Sequence, residues 1–172
     1  MKTTQLDFLS MEKIRDSRLI HIGHFMADQL NLDISEVDLR WDHRLARDKK
    51  FMGWCAKTGL QNKPYVIGIS EDIRGKYSSD SIFARAIDAT IIDLIAHEFV
   101  HVQQHATRRL DIRSGKYYWK GKHVVPCKMR SYTSRPWETE ANRIAKRLTN
   151  RYTAQHQKGV LKWFWNYLLR LI

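Results

Sequence analysis

His97, Glu98 and His101 are the residues of this chain whose types and spacing are best suited to chemistry. On an α-helix, positions i and i+4 stand one above the other on one face, so both imidazoles reach a single ion. Glu98, beside the first of them, keeps its carboxylate free for a water molecule. Such a set performs metal-assisted hydrolysis, with the glutamate as general base and Zn2+ as the usual ion. Residues 81–104 around the set include Ile82, Phe83, Ile91, Ile92, Ile95, Phe99 and Val102 and leave scarcely any polar face. A helix this apolar is normally buried, and imidazoles and a carboxylate buried without partners cost several kcal/mol. A metal ion removes that cost. The plainer alternative is a core helix whose histidines are only hydrogen-bonded.

A catalytic metal needs a third protein ligand and an open position for water. His105 continues the row of His97 and His101, but at a rise of about 1.5 Å per residue it lies about 12 Å along the axis from His97 and cannot share its ion. Gln104 and Thr107 stand where the longer metzincin pattern has Gly and His, which excludes that subclass. Downstream, residues 136–142 open a second helix, with Pro136 near its first turn and Glu138 and Glu140 beside the positive helix end. Trp137, Ala141, Ile144, Ala145, Leu148 and Tyr152 form its inward stripe. At about 100° per residue, Glu138 falls roughly 60° from the centre of that stripe and Glu140 roughly 90° or more on the other side. Glu138 is therefore the expected third ligand, and Asn142, one turn on, is expected to hold the outer ring nitrogen of a ligand histidine. Both glutamates could instead be favourable first-turn charges, and His123 and Asp111 are the alternatives for the third ligand.

His-Glu-x-x-His followed some tens of residues later by Glu138-Thr139-Glu140-Ala141-Asn142 resembles the gluzincin arrangement, and the string is similar to that of the compact ImmA/IrrE-type metallopeptidases. The longer run, residues 97–104, then Tyr118-Trp119-Lys120-Gly121-Lys122, then Pro136 to Ala141, resembles phage-encoded metallopeptidases. Asn142 stands where many gluzincins have Asp. The resemblance covers residues 64–148 and implies a small zinc hydrolase acting on peptide bonds.

In that chemistry zinc lowers the pKa of a bound water and polarises the scissile carbonyl. Glu98 takes the proton from the water and passes it to the leaving amine. The developing oxyanion needs a further donor, for which Tyr132 is the leading candidate and His123 the next.

The elements expected to position these groups make an α+β fold of the minimal zincin kind, in one domain spanning residues 1–172. Apolar spacing predicts a helix over Leu6 to Leu30, broken near Ser17 or Gly23 if at all, with Asn31 as its stop. Residues 37–41, 51–56 and 65–69 read as three short strands forming a small sheet over the metal helix. The last of them, residues 65–70, is expected to be an edge that pairs with an extended peptide. Residues 115–125 read as a β-hairpin walling the cleft, and residues 158–172 as an amphipathic C-terminal helix too short and too charged to span a bilayer.

Charge is unevenly distributed. Residues 1–100 carry 14 Lys and Arg against 15 Asp and Glu, whereas residues 101–172 carry 16 against 3. So basic a second half could attract nucleic acid, an acidic protein or an anionic membrane surface, and Tyr117, Tyr118 and Trp119 among its lysines suit base stacking. A basic nucleic-acid-binding protein with a structural or degenerate metal site is accordingly the second functional class to weigh. Two cysteines, Cys55 and Cys127, make no disulfide framework, and the N-terminus leads into no apolar signal region. A cytoplasmic protein is expected, in the host cytoplasm if the resemblance to phage proteins holds.

Overall fold

The computed structural model of the chain describes residues 19–42, 52–58, 63–70, 82–125 and 131–168. Helix α1 covers residues 19–30. It ends in a Schellman cap: Asn31 takes the left-handed conformation (φ 54°), its N–H bonds to the Asp28 carbonyl at 3.2 Å, and the Leu32 N–H bonds to the Ala27 carbonyl at 2.9 Å. The predicted stop at Asn31 is thus realised, while residues 6–18 of the predicted helix lie outside the described residues. Gly23 does not break the helix. A Cβ there would come within 2.8 Å of Leu39 Cδ2, so the glycine lets α1 lie directly on the sheet.

A 3-10 turn, Ile34–Glu36, leads into strand β1 (Val37–Asp42), followed by β2 (Gly53–Lys57) and β3 (Tyr65–Ser70). The sheet order is β1-β3-β2, with β1 parallel and β2 antiparallel to β3. This corrects the expectation for residues 65–70: β3 is the central strand, and β2 is an edge. The reason is burial, since all six residues of β3 are buried and a continuous apolar run requires neighbours on both sides. Trp54 of β2 lies across Gly68 of β3, where any Cβ would collide with the indole, and its Nε1 donates to Asp42 Oδ2 at 2.8 Å.

Helix α2 (Ile82–Ala106) packs on this sheet, and Arg108 in the left-handed region (φ 55°) turns the chain back after it. A second sheet then forms from β4 (Leu110–Arg113), β5 (Lys116–Trp119) and β6 (Lys122–Val124), one strand more than the predicted hairpin. Its two turns, Ser114-Gly115 and Lys120-Gly121, have positive φ at both residues, the type I′ geometry that suits the strand twist. Another 3-10 turn, Tyr132–Ser134, precedes helix α3 (Pro136–Leu168), which continues without a break through residue 158, where a separate helix was expected.

The architecture is α+β. Its core is one cluster in which Met26, Ile67, Ile69, Ile95, Phe99 and Val102 meet Ala141, Ala145 and Leu148 of α3. The small side chains at 141 and 145 let α3 approach α2 closely. Among the described residues no helix is long and apolar enough to cross a membrane.

Candidate metal centre

The apolar face of α2 and the inward stripe of α3 lock the two helices together, and their contact brings three potential ligands to one point. His97 Nε2 and His101 Nε2 lie 3.0 Å apart, and Glu138 Oε2 lies 3.2 Å from the first and 3.4 Å from the second. Ligands about 2.0–2.1 Å from a tetrahedral ion stand roughly 3.3–3.4 Å from one another, so the triangle has the size a bound ion needs. His97, His101 and Glu138 thus form a group that could hold a metal ion, and they are the one such group among the described residues. Glu138 and His101 are buried, whereas His97 keeps partial exposure on the open side.

Burial opposes charge on Glu138, His101 and Glu98, and attraction between carboxylate and imidazole opposes burial. Glu138 is pushed up by burial, but hydrogen bonds from His101 and His97 outweigh this and hold its carboxyl well below the usual carboxylate range. Burial favours neutral His101, yet Glu138, Glu98 and Gln104 together raise its pKa. Glu98 behaves differently: burial raises its pKa, and the two nearby imidazoles offset that only in part. It stands against the triad without belonging to it.

The wall beside Glu98 is β2. A Cβ at Gly53 would lie 3.2 Å from Glu98 Oε1 and 3.0 Å from Leu94 Cδ1, so glycine brings the strand backbone onto the carboxylate. Burial, then the charge of Glu98, pushes the Cys55 thiol far above its ordinary value, so it stays protonated. The other edge of β2 pairs with no strand among the described residues.

Behind the triad, the ring of His101 is held from its own helix. His101 Nδ1 donates to Gln104 Oε1 at 2.8 Å, which fixes the tautomer and leaves Nε2 available to an ion. Gln104 is fully buried, and its Nε2 donates to the Trp137 carbonyl at 2.9 Å and to Glu140 Oε2 at 3.2 Å. Glu140 also accepts from Arg109 Nη1 at 2.7 Å and lies 3.8 Å from Lys120 Nζ. Asn142, expected in this role, is instead exposed, and no hydrogen bond joins it to either imidazole. Four residues advance a helix by about 40° beyond a full turn, which carries position 142 further from the inward stripe than Glu138. In the sequence Gln104 carries only a weak signal, a polar side chain about one turn after a ligand and flanked by the equally polar Gln103 and His105.

The Tyr132 hydroxyl faces Glu138; burial, then that carboxylate, pushes its pKa far above the ordinary phenol value. About half of the residue is exposed, and the Arg135 guanidinium stacks on its ring, with Cζ 4.4 Å from the centroid. The alternatives lie elsewhere: Asp111 pairs with Arg113 at 2.6 Å, and His123 is exposed beside Tyr118. Tyr117 lies flat on Trp137 (5.5 Å, 7°) and Trp119 leans on the same ring, so two of the three aromatics proposed for base stacking are already engaged. Arg143, Lys146 and Arg147 are exposed on α3. In comparisons with known proteins the chain matches no family model, and no curated protein or solved structure shows significant similarity to it.

Proposed function

We propose that this chain is a zinc-dependent peptidase of the gluzincin arrangement, with His97, His101 and Glu138 as the metal ligands. The observation that carries the reading is the convergence of those three ligand atoms while a second buried carboxylate, Glu98, is left over beside them. A structural site would have no use for the spare carboxylate. Zinc, when bound, supplies Lewis acidity and an activated water. Glu98, whose pKa is raised by burial, is suited to accept a proton from that water and deliver it to the leaving nitrogen. Tyr132, kept protonated beside Glu138, is suited to donate to the carbonyl oxygen as charge develops there. Extended peptide backbone would pair along the outer edge of β2, antiparallel or parallel to Gly53–Lys57, and lie against Glu98 where Gly53 opens the way. In this reading β2, rather than β3, takes the peptide, and the α+β architecture is that of a minimal zincin.

Elemental analysis tests the ligand set without knowledge of the substrate. About one zinc per chain is expected, retained in Glu98→Gln and lost in His97→Ala and Glu138→Ala, with cleavage of a mixed peptide library lost in Glu98→Gln. A chain that takes up no zinc even when refolded in its presence refutes the reading.

A further inference from the structure

Arg40, Arg109 and Arg113 each pair with a carboxylate, respectively Asp38, Glu140 and Asp111. Arg135 does not. Its Nε is fully buried with no hydrogen-bond acceptor, and its guanidinium meets no carboxylate among the described residues, only the face of Tyr132. A donor on a permanently charged group, buried and unsatisfied, costs stability; Nε itself is closed off, but the terminal nitrogens of the guanidinium are not among the buried unsatisfied atoms and are the ones that can meet an acceptor.

The backbone that presents the side chain is fixed. As the residue before Pro136, Arg135 is held in extended geometry (φ −65°, ψ 136°). Its N–H bonds to the Tyr132 carbonyl at 3.2 Å, and its own carbonyl accepts from Thr139 N at 2.9 Å. The capped turn beneath it is closed by reciprocal bonds between Ser131 and Ser134. Because the Tyr132 hydroxyl faces Glu138, the guanidinium sits one aromatic ring away from the ligand cluster. At about 3.3–3.6 Å of chain per residue, a peptide whose scissile carbonyl lies at the cluster brings a group one to three residues away to this position.

We propose that Arg135 is the carboxylate anchor of the cleft, binding an acidic side chain or the C-terminal carboxylate of a peptide seated at the His97–His101–Glu138 cluster; this rests on the peptidase reading above. A planar guanidinium already stacked on an aromatic face binds a carboxylate through two parallel N–H bonds with little further loss of freedom.

The test uses the zinc-loaded full chain and peptidyl hydroxamates, which chelate zinc through the hydroxamate and extend a short peptide from it. One pair differs by a free C-terminal carboxylate against a carboxamide. A second pair, both carboxamides, differs by Asp against Asn. Calorimetry should give at least about tenfold tighter binding for the carboxylate member of one pair, the value expected of a charge-assisted hydrogen bond, and which pair responds identifies the source. Arg135→Gln should abolish the difference while leaving zinc content unchanged, with the carboxylate member losing far more affinity than its carboxamide. Arg135→Lys, which keeps the charge but loses the fork, should retain part of it. Equal affinities within both pairs, or a preference that survives Arg135→Gln, would overturn the anchor while leaving the peptidase reading intact. A wild-type chain without zinc, or one that binds no hydroxamate when loaded, would overturn the peptidase reading and the anchor together.

Discussion

Replacing Gln104 with Leu should separate the two things this side chain does. It is fully buried and makes three hydrogen bonds, to His101 Nδ1, the Trp137 carbonyl and Glu140. Leucine fills nearly the same volume but leaves the imidazole N–H unsatisfied in the core, while the Trp137 carbonyl keeps its helical bond and Glu140 keeps Arg109. At about 1–3 kcal/mol for such a group, the metal-free protein should lose about 1–3 kcal/mol, read as a fall in the urea midpoint with an unchanged m-value. Losing the support of a ligand histidine typically lowers metal affinity about 10–100-fold, to be read by competition with a chromophoric chelator. Gln104→Glu is the discriminating partner. It keeps an acceptor for His101 Nδ1, so metal affinity should stay near wild type. It loses both donors and faces Glu140 with a second carboxylate, so stability should still fall. The reasoning fails if Gln104→Leu binds metal as tightly as wild type, or if Gln104→Glu loses affinity as severely as the leucine variant.

Zinc at about 100 times its dissociation constant should stabilise the folded chain by about 2.7 kcal/mol, raising the melting temperature by roughly 5–10 °C. Scanning calorimetry of His97→Ala should show no such rise. In the metal-free protein Glu98→Gln should be more stable than wild type at pH 7, by about 1 kcal/mol, because burial disfavours the carboxylate form that the unfolded chain adopts freely at that pH. A group whose folded pKa is raised stabilises the fold below its unfolded value, near 4.3, and loses that contribution as pH rises; the gain from Glu98→Gln should therefore vanish in urea titrations at about pH 4. Gly53→Ala places a methyl 3.0 Å from Leu94 Cδ1 and 3.2 Å from Glu98 Oε1, so Glu98 must shift by a few tenths of an ångström. Peptide turnover should fall about tenfold with zinc content unchanged, and full activity would show that β2 yields instead.

The parts of the site legible in the sequence are those fixed by a single helix. The four-residue spacing of His97 and His101 dictates their shared face, and the angle of Glu138 from the stripe of α3 aims it at α2. What was not legible depends on where separate elements meet. Glu140 points away from the stripe, yet Gln104 reaches it from α2, and the left-handed turn at Arg108 returns the chain and sets Arg109 upon it. Periodicity announces a strand but not its neighbours. The place of Tyr65–Ser70 beside the metal helix in sequence made it look like an edge, although its unbroken apolar run already called for a central strand. The support of His101 comes from its own helix: Asn142 matches a spacing on α3, whereas Gln104 is marked by nothing but its polarity.

The outer side of β2 has a consequence for handling the protein. A row of backbone donors and acceptors without a strand partner among the described residues recognises extended chain of any sequence, including the same strand of a second molecule. Two of its features limit such self-pairing: β2 is only five residues long, and it ends in exposed Lys57, which repels a parallel copy in register. Replacing Lys57 with an apolar residue removes that repulsion, and the cost would be paid in solubility at high protein concentration rather than in folding.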